Sequence, residues 1–139
     1  MHPEVAKETR RWLRYAAEDL QTARSLSESG AAPPRHAAWL AQQAAEKAVK
    51  AVLISLQIPF PFVHDLDRLV ALVPAGWSVR ETDADLARLS DFAVEARYPD
   101  DLPDVSRVDS TASVEDAARI VEAAEADLAP QLDRDRGAT

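Results

Sequence analysis

Residues 37–53 read AAWLAQQAAEKAVKAVL, and the fold follows from this stretch. Ala37, Leu40, Ala41, Ala44, Ala48, Ala51, Val52 and Ser55 fall along one side of a helix beginning near Pro34. Small residues dominate that stripe, so a neighbouring helix backbone can approach closely. The other side carries Gln43, Glu46, Lys47 and Lys50 at i, i+3, i+4 and i+7. Glu46 and Lys50 stand in the favourable order for an i, i+4 pair, worth about 0.2–0.5 kcal/mol on an exposed helix. Two readings of this row stay open: a solvated helix face with charges of alternating sign, or a grip on a phosphate or a partner's carboxylates. Lysine is scarce, with three residues against thirteen arginines, so the second reading has something to explain.

Outward from this helix, the prolines show where the others stop. Towards the N-terminus, Trp12, Ala16, Leu20, Ala23 and Leu26 form an apolar stripe from about Pro3 to Ser29, with Gly30 suited to a C-terminal cap. Downstream, Asp65 is expected to cap a short helix through Leu66, Leu69, Val70 and Val73. A fourth helix is expected from Thr82, with Asp85 three residues on, through Leu86, Leu89, Phe92, Ala93 and Ala96 to Pro99. Residues 100–112 read as an acidic loop. The last helix is expected from Ser113, with Asp116 three residues on, to Pro130. No stretch alternates as a strand does. The expected fold is all-α: an antiparallel four-helix up-and-down bundle with an additional short helix, one domain over residues 1–130 and a frayed tail over 131–139. The 27 alanines against three glycines agree with this class.

Composition excludes several functions. Without cysteine there is no disulfide scaffold, thiolate zinc site or cysteine nucleophile. No apolar run is long enough for a membrane helix, and the charges at Glu4, Lys7, Glu8, Arg10, Arg11 and Arg14 do not suit a signal peptide, so a cytoplasmic protein without a membrane role is expected. The net charge of -8 divides unevenly: residues 1–60 carry 8 basic and 6 acidic groups, residues 61–139 carry 8 and 18. That balance opposes nonspecific coating of nucleic acid but leaves a small phosphate site or a protein partner open.

The three histidines, His2, His36 and His64, have no metal-site spacing, so no metal site and no cofactor are expected. His64 with Asp65 reads first as a helix cap, with Phe60 and Phe62 sealing the bundle end, and second as a group suited to acid–base chemistry. Arg97, Tyr98, Asp100 and Asp101 mark the mouth of the long loop, either as a dipole-stabilised helix end or as a phosphate fork with a stacking ring. Trp39 and Val49 lie off the main stripe of the second helix, facing a second protomer or widening the stripe of a buried helix.

Taken together, these residues resemble the HEPN domain family. The resemblance is carried by Trp12, Ala16, Asp19, Leu20 and Ala23, then by AAWLAQQAAEKAVKAVL at 37–53, then by His64, Asp65, Leu66 and Leu69, and last by Ala96, Arg97, Tyr98, Pro99 and Asp100. It spans about residues 4–128. It implies a helical bundle that is usually a homodimer and often the companion of a minimal nucleotidyltransferase in a toxin–antitoxin pair. It also implies candidate nucleotide- or partner-binding residues at Gln43, Glu46, Lys47, Lys50, His64, Asp65, Arg97, Tyr98 and Asp100. In the family's nuclease branch an arginine is followed after four to six residues by a histidine, and the pair cuts RNA without metal. Here no histidine follows Arg97. The expectation is therefore a dimeric binding module for a nucleotidyltransferase, nucleotide or RNA, with a metal-independent ribonuclease as the alternative.

Overall fold

The computed structural model describes residues 1–93 and 104–137. Five α-helices and one 3₁₀ turn make up the described chain, and no strand occurs among the described residues. α1 spans Pro3–Ser29, α2 Pro34–Ser55, α3 Leu66–Ala71, α4 Leu86–Ser90 and α5 Arg107–Gly137, with a 3₁₀ turn at Ser78–Arg80. The all-α bundle expected from the sequence is the fold observed.

Both helices of the N-terminal hairpin start on a proline at the first helical position, where its missing N–H costs nothing. Gly30 ends α1 in the left-handed region (φ 65°) and donates its N–H to the Leu26 carbonyl. At the end of α2 the left-handed residue is Gln57 (φ 55°), where Ile58 N–H reaches the Leu53 carbonyl at 2.9 Å. Glycine would be at ease there; glutamine is strained. α3 is capped as expected by Asp65, which accepts the Asp67 N–H.

α2 is the central element. It packs against α1, α5, α3 and α4. Ala37, Ala41, Ala44, Ala45, Ala48 and Ala51 are buried along it, and so is Val49, which therefore belongs to the core rather than to a protomer contact. Trp39 stays partly exposed.

The expected ends of α4 and α5 are corrected. Helical structure at α4 starts at Leu86, not Thr82, because Asp85 itself is the cap and accepts the Arg88 N–H. It gives way to a turn after Ser90, so Phe92 and Ala93 lie beyond it; the expected continuation to Ala96 and Pro99 falls outside the described residues. α5 starts at Arg107 rather than Ser113, because Ser106 accepts the Asp109 N–H at 3.0 Å while Ser113 turns into the core. Pro130 lies inside α5 and does not end it. The stretch from 131, expected as a tail, continues helical to Gly137, with Leu132 buried and its carbonyl accepting from Arg10 at 3.0 Å. A proline one or two turns from a helix end loses a single intrahelical bond, and packing of Leu128 and Leu132 on the core offsets it.

Candidate functional site

The polar residues of α2 do not form a solvated face. Gln42, Glu46 and Lys50, spaced i, i+4, i+8, all lie buried. The Glu46 carboxylate is the hub. Lys50 Nζ donates to Oε1 at 2.6 Å, Gln42 Nε2 donates to Oε2 at 2.7 Å, and His64 Nδ1 lies 2.9 Å from Oε2 and 3.1 Å from Oε1. Gln42 in turn accepts from Gln43 Nε2 at 2.7 Å, which links the cluster to the partly exposed edge of α2. The side chains of Glu46 and Lys50 are only 6% and 9% exposed.

The strap between α2 and α3 closes this cluster. Phe60 from the strap and Trp12 from α1 hold their rings 5.6 and 6.0 Å from Lys50 Nζ, close enough for cation–π attraction. Phe62, expected to seal the bundle end beside Phe60, is instead fully exposed. His64 does not cap α3, a role left to Asp65; it turns its Nδ1 inward to Glu46.

Burial alone would push the Glu46 carboxyl up. The bonds from Lys50, His64 and Gln42, with the charge of Lys50, outweigh it and hold the group below its ordinary value of 4.5. Glu46 is therefore a carboxylate at neutral pH and can only accept. A carboxylate partner fixes the proton of a neutral imidazole on Nδ1, as carboxylate–histidine pairs do elsewhere. About a third (34%) of the His64 side chain reaches solvent.

Lys47 lies outside this cluster, paired with Asp19 of α1 in a half-buried ion pair. The structure thus gathers Gln43, Glu46, Lys50 and His64 into one network, leaves Lys47 outside it in a pair with Asp19 of α1, and uses Asp65 as a cap. Arg97, Tyr98 and Asp100 lie outside the described residues, as do Ala96, Pro99 and Asp101. Among the described residues no group of three or more histidine and acidic side chains could hold a metal ion.

Gln42 belongs to the network although the polar row of the sequence begins at Gln43; its spacing of four from Glu46 was the available signal. Asp116 is a second buried acid. It accepts from Arg88 of α4 and, at 2.8 Å, from Arg119 of α5. This triad joins α4 to α5, as Asp127 joins the 3₁₀ turn by accepting the Val79 N–H at 3.3 Å.

Comparison with known proteins agrees with this architecture. A family model described as HEPN domain matches residues 9–127. The chain belongs to the HEPN domain family. Among solved structures, this HEPN domain is similar to that described as the crystal structure of TT1696 from Thermus thermophilus, with 25% sequence identity and a TM-score of 0.69. The match covers 86% of this chain and 98% of that one. No curated protein matches the chain. No helix among the described residues is long and apolar enough to cross a membrane.

Proposed function

We propose that this HEPN domain is a dimeric binding module of the cytoplasm, the companion of a minimal nucleotidyltransferase in a toxin–antitoxin-like pair, with nucleotide as its small ligand. The observation that carries the reading is the internal pairing of the groups otherwise suited to phosphate chemistry. Lys50 and His64 are held by buried Glu46, and Lys47 is held by Asp19. Such pairs build a rigid, nearly neutral platform, which suits recognition of a partner better than turnover of a polyanion. A nucleotide phosphate would meet Lys47, the more exposed lysine, in competition with Asp19. The test is co-purification with the nucleotidyltransferase from a neighbouring reading frame, with titration by ATP, GTP and CTP. Absence of a complex and of any saturable signal at millimolar nucleotide overturns the reading.

One observation favours a second reading, the metal-independent ribonuclease. Glu46 orients the His64 ring as a carboxylate orients a general base. Degradation of mixed RNA in EDTA, lost on His64→Ala or Arg97→Ala, would put this reading first.

A further inference from the structure

The strap between α2 and α3 is fastened at close intervals. Ile58 N–H reaches the Leu53 carbonyl at 2.9 Å, the Phe60 ring lies against Lys50, His64 Nδ1 reaches Glu46, and Leu66 N–H donates to Ser90 Oγ at 3.0 Å. Ile58, Phe60 and Val63 pack inward on the core. Between these fastenings the Val63 N–H donates to the Pro61 carbonyl at 2.9 Å, which closes a three-residue turn with Phe62 at its apex. Phe62 is 100% exposed, whereas Tyr15 and Trp39, the other exposed aromatic residues among those described, are 36% and 38% exposed and so rest most of their surface on the chain. Pro59 and Pro61 fix two backbone angles of the strap, so little freedom is left to lose when the ring is gripped. A single apolar residue lying on a surface needs no explanation; one held wholly clear of it by a braced turn does.

We propose that Phe62 is the anchor by which a partner protein docks on the strap: its ring enters an apolar pocket of the partner, and the rim of that pocket is basic. The inference rests on the reading of the chain as companion to a second protein and adds to it the surface by which that protein is held. A side chain that projects from the surface offers no concavity, so it fits a pocket on another macromolecule rather than a small ligand. The charges around it decide which. Asp65 and Asp67 are exposed just downstream, beside Arg68, and residues 61–139 as a whole carry 18 acidic groups against 8 basic. Neither Asp67 nor Arg68 enters an ion pair among the described residues. An acidic surround repels RNA and an anionic bilayer and attracts a basic protein rim. A second copy fits less well. Receiving the ring in a hollow elsewhere on its surface would be a head-to-tail contact, which generates rings or open chains rather than a two-fold pair. Meeting ring to ring would bring the two acidic surrounds together.

The probe is the nucleotidyltransferase from a neighbouring reading frame, titrated calorimetrically with the full chain and with Phe62→Ala, Phe62→Leu and Asp67→Lys, each checked for helicity and urea midpoint. Because Phe62 is fully exposed, its truncation is expected to leave the midpoint unchanged. Phe62→Ala is expected to weaken the complex about ten- to a hundredfold, the worth of one buried aromatic ring, and Phe62→Leu to weaken it less. Asp67→Lys is expected to slow association, an effect that fades as salt rises. A complex indifferent to Phe62→Ala overturns the proposed surface and leaves the companion reading standing. Loss of self-association in Phe62→Ala with the complex unaffected, read by light scattering, gives the ring to a second copy and overturns the partner. Absence of any complex with the wild type overturns both.

Discussion

Replacing Lys50 by methionine leaves the Glu46 carboxylate, with a side chain 6% exposed, facing Gln42 and His64 without the ammonium. If the Glu46–Lys50 pair behaved as an ordinary surface i, i+4 pair, the loss would be about 0.2–0.5 kcal/mol. The geometry argues for a larger figure. Water cannot replace the lost partner, and removing one member of a buried ion pair costs about 3–5 kcal/mol. Gln42 and His64 still donate, which places the expected loss near the lower end, about 3 kcal/mol. The double variant Glu46→Leu, Lys50→Met removes both charges, and its loss should fall well short of the sum of the single losses. The measurement is urea unfolding followed at 222 nm for all four proteins, closed as a double-mutant cycle. A loss below about 1 kcal/mol for Lys50→Met, or simple additivity in the cycle, would refute the account of a desolvated, mutually dependent network.

The same cluster sets a pH dependence. The folded pKa of Glu46 lies below its ordinary value of 4.5, so its stabilising contribution is full above that range and is lost as pH falls through it towards the depressed value. Urea midpoints measured downward from pH 6 should therefore fall through this range, with a shallower fall in Lys50→Met; an equal fall in both would count against the assignment. Gln57→Gly, at a left-handed position (φ 55°), should raise stability by about 1 kcal/mol, whereas Gly30→Ala should lower it by about 1–2 kcal/mol, also because its Cβ would sit 3.2 Å from Arg107 Nη1. Calorimetric midpoints moving the other way would contradict both. Arg88→Ala, which removes one of two guanidinium partners of buried Asp116, should cost about 1–3 kcal/mol and speed amide exchange in α4. Unchanged exchange there would show that the triad does not fix α4.

The long helices could be read from the sequence because their signals are local. Pro3, Pro34 and Gly30 act on their own backbone, and the alanine stripe of α2 needs only a period of 3.6. What sequence could not supply was choice between equivalent local signals. Ser106 and Ser113 each precede an aspartate by three residues, and only tertiary burial decides that Ser113 and Asp116 face inward while Ser106 caps. Thr82 and Asp85 compete in the same way at α4. At the candidate site the members Gln43, Glu46, Lys50 and His64 were legible as residues, yet their burial was not. Periodicity places a polar row on the side away from the apolar stripe; it cannot show that the Pro59–Val63 strap and Trp12 will cover it.

The alanine lining of α2 has a further consequence. A helix sheathed in methyl groups is close to a smooth rod, and shape alone distinguishes poorly between one rotation of it about its axis and the next. Gln42, Glu46 and Lys50 break that near-symmetry. A turn of about 100°, one residue's step around the helix, would press three polar side chains against alanine neighbours and strip each of its partners. The network thus works as the keyway of a shaft, as a single buried asparagine fixes the register of a coiled coil. An all-apolar version at these three positions should keep its helicity while its side-chain NMR signals broaden, since the rod would be free to settle at more than one angle.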